Sequence, residues 1–169
     1  MRIGSPFDPE SEVGPVVSAD QLERVQGYVT LGRDEGAELA LGGNRYGAVG
    51  FFHEPTIFTN VRNDMRIAQE EIFGPVMSVL PFESEDEAYA IANHTEYGLA
   101  AGVWTNDLGR AHRASRALRA GTVWINTYQM VYPTVPYGGV KSSGHGRTLG
   151  SASLEELTQL KSVWMNIAS

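Results

Sequence analysis

Residues 76–125, VMSVLPFESEDEAYAIANHTEYGLAAGVWTNDLGRAHRASRALRAGTVWI, carry the fold in their order of apolar runs and caps. Val76 to Phe82 is a short apolar run suited to a buried strand. Ser84-Glu85-Asp86-Glu87 is a capping box that opens a helix through about Asn93. Leu99 to Thr105 is the next strand, and Asp107 caps an Ala- and Arg-rich helix that runs to Leu118. Gly121 stops that helix, and Thr122 to Ile125 is a further buried strand. Strand, helix, strand, helix, strand predicts an α/β domain: an open, mostly parallel sheet with helices on both faces and right-handed crossovers.

Working outward, the segment before this stretch opens on a loop, Gly4 to Pro9, with two prolines. Ser18-Ala19-Asp20-Gln21 is another capping box, followed by Leu22, Val25, Tyr28 and Val29 at helical spacing, with Gly36 placed to end the helix. Leu39 to Leu41 and Phe51 to Thr59 read as strands around a Gly42-Gly43 turn. On the other side lies a long loop, Asn126 to Gly150, holding seven glycines and prolines. Loops of that length in a compact domain are usually functional. A helix is expected from Ser153 to near Leu160, and a strand over Lys161 to Ile167, where Val163, Met165 and Ile167 alternate. The terminal strand has no obvious mate within the chain, and an edge of that kind invites pairing with another subunit.

Composition removes several classes of function. The chain has 169 residues, 42% hydrophobic and 20% charged, enough for one domain with a core. Its formal net charge of -7 has no basic stripe to set against phosphates, so nucleic acid is not an expected partner. There is no cysteine, which excludes disulfides, zinc–thiolate sites and iron–sulfur clusters. No apolar run reaches the length of a membrane span, and residues 1–9 do not resemble a signal peptide, so no membrane partner and a cytoplasmic location are expected.

Several apparent motifs fail on spacing. Gly144-His145-Gly146 with Gly150 has three residues where a dinucleotide fingerprint needs two, and it follows a loop rather than a strand. Gly139 to Gly144 has phosphate-loop spacing, but His145 stands where the lysine belongs. The histidines 53, 94, 112 and 145 form no close pair, so no metal site is expected. No elbow motif surrounds Ser142 or Ser143. Glu70-Glu71 before Ile72-Phe73-Gly74-Pro75 is more informative, because two adjacent carboxylates cannot point the same way. One reading is a helix-end charge pair, which residue chemistry alone favours; the other is a carboxylate at a strand entrance accepting hydrogen bonds from ribose hydroxyls. The aromatic, apolar loop of Tyr128, Met130, Val131, Tyr132, Pro133 and Tyr137 either lines an apolar pocket or packs onto the domain.

The octapeptide QEEIFGPV, residues 69–76, resembles a signature of the aldehyde dehydrogenase superfamily. Further matches run through Gly4 to Pro15, Glu54-Pro55-Thr56, Asn93 to Leu99, Gly121 to Asn126 and Pro136 to Gly150. The resemblance implies an incomplete catalytic domain over residues 1–160 and an oligomerisation strand over 161–169 that joins a sheet across a homo-oligomer interface. Members bind NAD or NADP in an N-terminal domain; a thiolate attacks the aldehyde, hydride passes to nicotinamide, and activated water hydrolyses the thioester. The resemblance implies that Glu71 binds the nicotinamide ribose and Phe73 packs beside the nicotinamide, which reverses the weighting on Glu71. It likewise implies Asn126, Val131 and Tyr137 as residues of the substrate pocket.

Two departures stand out. The family's nucleophilic cysteine and its glutamate base would lie upstream of Met1 with the cofactor domain, so about a third of a complete member is present and no catalytic residue is expected here. Thr148 replaces a glutamate commonly found near the water path. The expectation is therefore a C-terminal fragment of an NAD(P)-dependent aldehyde dehydrogenase that is inactive alone. Competing readings are a non-catalytic assembly or binding domain derived from that family, and one half of a two-chain enzyme.

Overall fold

The computed structural model describes residues 1–167. The chain divides into two compact units, residues 1–87 and 88–169, so the boundary falls inside the expected 1–160 domain.

The first unit is built on α1, Ala19–Asp34. Ser18 Oγ accepts from the Gln21 N–H at 3.1 Å, satisfying one of the free donors of the first turn. Gly36, at φ 94°, ends the helix where a side chain would be strained. β1 (Glu38–Leu41) pairs antiparallel with β2 (Thr56–Thr59), and β2 pairs parallel with β3 (Val76–Ser78). A short helix, α2 (Arg66–Gln69), which the helix-end reading of Glu70-Glu71 implied without giving its range, lies on the β2-to-β3 crossover. β2 is shorter than the expected 51–59 strand: His53 makes only an isolated bridge with Arg45, and Pro55 has no N–H to give a ladder. β3 likewise stops short of Pro81.

The core of this unit joins Val25 and Val29 of α1, Phe58 of β2, Ile67 of α2, and Val61, Met65 and Ile72 of the connections. Gly32 lets Ile67 and Phe58 approach the α1 backbone: a Cβ there would lie 3.0 Å from Ile67 Cδ1 and 3.1 Å from Phe58 Cζ.

In the second unit, α3 (Glu85–Asn93, which begins just before the boundary) starts at Ser84, whose Oγ accepts from Glu87 N at 3.2 Å. β4 (Ala100–Val103) and β5 (Thr122–Ile125) pair in parallel, from Ala100 opposite Thr122 to Val103 opposite Ile125. α4 (Leu108–Ala117) connects them, and Asp107 Oδ1 accepts from Arg110 N at 3.0 Å as its cap. Among the described residues only Ala114 and Trp124 of this unit are buried hydrophobics. The α/β class and the parallel pairings are as expected, but the strands form one sheet of three and one of two rather than a single run.

Residues 126–150 form the expected loop, with one 3₁₀ turn at Lys141–Ser143. The last helix, α5, covers only Ala152–Glu156; Leu154 and Leu157 are exposed, so no packing extends it. Residues 161–167 form no ladder with other described residues, and Val163, Trp164, Met165 and Ile167 are exposed. Residues 168–169, the end of the expected 161–169 strand, lie outside the described residues. No helix is long and apolar enough to cross a membrane.

Phe58 is fully buried at the centre of the first core. Phe58→Ala is expected to destabilise this unit by about 3–5 kcal/mol, read as a shifted urea midpoint with unchanged slope.

Candidate functional site

The turn between α2 and β3, residues 70–75, is gripped by one face of α1. Tyr28 Oη donates to Glu70 Oε2 at 2.7 Å. Arg24 Nη2 donates to the Glu71 carbonyl at 2.8 Å. Gln21 Nε2 donates to the carbonyls of Ile72 and Phe73, each at 2.9 Å. A Cβ on Gly74 would strike Val25 Cγ2, so only glycine lets the turn come this close. Positions 21, 24, 25 and 28 lie on one side of a helix with 3.6 residues per turn, which is why a single face reaches every residue from Glu70 to Gly74.

The two carboxylates take opposite roles. Glu70 forms a two-pronged pair with Arg66, through Nε at 2.7 Å and Nη2 at 2.9 Å. Those bonds and the Tyr28 hydroxyl hold its pKa down at about 2, while accepting Tyr28's proton-side bond raises the tyrosine pKa. Glu71 is exposed, and among the described residues its carboxylate has no partner. Phe73 has a left-handed backbone, φ 58°, and a 73% exposed ring. Ile72 between them is buried in the core. An outward carboxylate beside an outward ring suits a ligand carrying vicinal hydroxyls next to a flat heterocycle, so these residues fit the ribose and nicotinamide of NAD or NADP. A concavity of about 350 Å³ on the same unit is lined by Arg24, Gly27, Tyr28, Leu31 and Arg66 and by neither Glu71 nor Phe73.

Asn126, Val131 and Tyr137 lie in the second unit, on the 126–150 loop. Asn126, at φ 53°, closes the end of β5. Its Oδ1 accepts from Thr105 N at 2.8 Å and its Nδ2 donates to Thr105 O at 2.9 Å, so its amide ties the loop to the end of β4. Val131 is half-exposed, beside Met130, whose carbonyl accepts from Trp124 Nε1 at 2.9 Å. Tyr128 packs edge-on to Trp124, with centroids 5.2 Å apart. Tyr137 is half-buried and bridges Thr148 through N–H to O bonds of 2.8 and 2.9 Å; Thr148 Oγ1 also donates to its carbonyl at 3.2 Å. Arg147 Nη1 donates to Gly139 O at 2.8 Å and Gly146 O at 2.6 Å. The loop therefore combines packing onto the domain with exposed apolar side chains.

The sequence reading placed Gln21 only in a capping box and did not name Arg24, so neither was expected at this turn. The capping box assigned Gln21 a reach back to its own helix end, but its amide turns instead to carbonyls more than fifty residues away. Nothing local marks Arg24, because its acceptor is backbone. His53 is buried with Nδ1 2.8 Å from Glu54 O, and among the described residues no group of three or more His, Asp and Glu could hold a metal.

The sequence profile described as the aldehyde dehydrogenase family matches residues 1–163, and the chain belongs to that family. It is 54% identical to a betaine aldehyde dehydrogenase of Mesorhizobium japonicum, over 98% of this chain and 35% of that protein. A solved NAD+ complex of an aldehyde dehydrogenase from Bacillus cereus superposes with a TM-score of 0.94 at 50% identity, covering 99% of this chain and 34% of that one. The Mycobacterium tuberculosis aldehyde dehydrogenase complexed with NAD+ gives 0.93 at 45% identity, over 100% and 35%. The chain thus spans about a third of the length of the relatives it matches.

A carboxylate with a lowered folded pKa stabilises the fold above its ordinary value of 4.5, and that contribution fades as pH falls through about 2. Glu70→Gln is expected to cost on the order of 1 kcal/mol at pH 7, allowing for screening at a partly exposed group. Urea midpoints for native and variant should converge between pH 4.5 and 2.

Proposed function

We propose that this chain is the C-terminal part of an NAD(P)-dependent aldehyde dehydrogenase, which oxidises an aldehyde to a carboxylic acid. The observation that carries the reading is the gripped turn, which presents Glu71 and Phe73 outward on a strained backbone with Glu70 already paired. In this reading the Glu71 carboxylate accepts from the nicotinamide ribose hydroxyls and Phe73 lies beside the nicotinamide ring. NAD or NADP, when bound, supplies the hydride acceptor. Val131 and Tyr137 border the aldehyde, and Asn126 holds the root of their loop through Thr105. The relatives solved as NAD+ complexes support this assignment.

The sequence contains no cysteine, so the nucleophile of the reaction has to come from elsewhere. The domain scheme of this reading is a partial catalytic domain, 1–160, with 161–169 as an assembly strand in a cytoplasmic homo-oligomer. The exposed Val163, Trp164, Met165 and Ile167 support the assembly role.

The pure chain is expected to reduce no NAD+ with betaine aldehyde or acetaldehyde. Mixed with the complementary N-terminal two-thirds of a relative such as the Bacillus cereus enzyme, it is expected to restore aldehyde-dependent NADH formation. In that mixture Glu71→Gln should raise the KM for NAD+ about tenfold, the loss of one charge-assisted hydrogen bond. Turnover by the chain alone, or an unchanged KM for NAD+ in Glu71→Gln, would overturn the corresponding assignment. Sedimentation of the chain at rising concentration should show self-association that Trp164→Glu weakens; a strictly monomeric native chain would count against the tail as an assembly element.

A further inference from the structure

We infer that Gln21 and Arg24 are positioning residues for cofactor binding: their side chains fix the peptide planes of residues 71–73 and so aim Glu71 and Phe73. This rests on the reading of Glu71 and Phe73 given above, and it assigns a task to two residues that touch neither side chain through a hydrogen bond.

Residues 71–73 fall between the end of α2 and the start of β3, so their backbone oxygens are outside both the helix and the ladder. Three successive carbonyls nonetheless find donors, and all three donors come from two side chains of α1. A peptide plane held by its oxygen leaves little freedom in the Cα–Cβ direction of the residue on either side. Ile72 is anchored in the core between them, so side chains 71 and 73 are forced to the opposite, outer side.

Phe73 makes the clamp necessary. Its φ of 58° is a conformation that costs a non-glycine residue about 1–2 kcal/mol, and it would relax to an extended form unless something held it. The Gln21 bond to Phe73's own carbonyl supplies that restraint, and Val25 against Gly74 blocks the next residue from swinging inward. Neither α1 side chain is needed for the core: Arg24 is exposed and Gln21 half-buried, while Leu22, Val25 and Val29 supply the packing face. Without the two donors the turn would remain attached through Ile72 and Tyr28 but lose its defined orientation at 71 and 73.

The test uses Gln21→Met, which keeps length and helix propensity but has no donor, together with Arg24→Ala and Arg24→Lys. Backbone 15N relaxation and 13C′ shifts of the 169-residue chain read the turn directly. In the native chain, residues 71–73 should show order parameters of about 0.85, as in rigid backbone. In Gln21→Met/Arg24→Ala they should fall below about 0.6, with 13C′ shifts moving at 71, 72 and 73, while Val29 and Phe58 stay unchanged. Arg24→Lys, which retains one donor, should recover part of the order at Glu71. Unchanged order at 71–73 overturns the inference, and so does loss of order spreading to Val29 and Phe58, which would make the two residues general supports of the fold.

The second readout is the reconstituted mixture with the N-terminal piece. Gln21→Met/Arg24→Ala should raise the KM for NAD+ at least fivefold and leave the KM for aldehyde within twofold. If Glu71→Gln raises the KM for NAD+ and the double variant does not, the positioning role fails on its own. If Glu71→Gln has no effect, the assignment of Glu71 fails, and the relaxation data still decide whether the clamp orders the turn.

Discussion

The grip of α1 on residues 70–74 is the interaction on which the outward setting of Glu71 and Phe73 depends. It draws on a hydroxyl, a guanidinium, a carboxamide and a valine placed along one helical face, and it brings a helix near the start of the chain onto the turn that enters β3. The same contacts decide the fate of two chemically identical side chains. Glu70 is absorbed into a pair with Arg66 and Tyr28, and Glu71 is left at the surface with no partner for its carboxylate among the described residues. Adjacent residues on a turn must diverge, but which one is consumed is settled by what the helix offers on its facing side.

The second unit is organised by a different kind of bond. Asn126, Trp124, Arg147 and Lys141 each donate from a side chain to one or more main-chain carbonyls, and Lys141 reaches the carbonyls of Asn93 and Thr95. Such bonds order an irregular loop that has no ladder of its own. Only two hydrophobic residues are buried among the described residues of this unit, so polar anchoring stands in for packing there. A two-stranded sheet with so thin a core is marginal in water by itself, consistent with a chain that spans about a third of its relatives.

Much of this architecture was legible beforehand. The caps at Ser18 and Asp107, the stop at Gly36, and the strand at Thr122–Ile125 follow from local chemistry and appear as read. Strand lengths were overestimated where apolar composition ran past a proline, as at Pro55 and Pro81, because ladders need N–H donors and composition does not count them. The division into two sheets was not legible, since pairing between strands is a long-range property. The turn at 69–76 stood out by resemblance, and its two exposed side chains were named. The residues that hold it were not, because a bond from a side chain to a distant carbonyl leaves no trace in local pattern. Gln21 was even accounted for by a satisfactory local explanation.

The span of those contacts has an energetic side. Gln21 and the carbonyls it holds are separated by 51 and 52 residues, so making the grip closes a loop of that size. Closing such a loop carries an entropic cost of about 3–4 kcal/mol. Three hydrogen bonds, at about 0.5–1.5 kcal/mol each, do little more than match that cost, so the burial of Phe58, Ile67 and Ile72 against α1 has to carry the loop closure. The orientation of Glu71 and Phe73 is therefore tied to the core: Ile72, the residue between them, is among the buried side chains whose packing closes the loop.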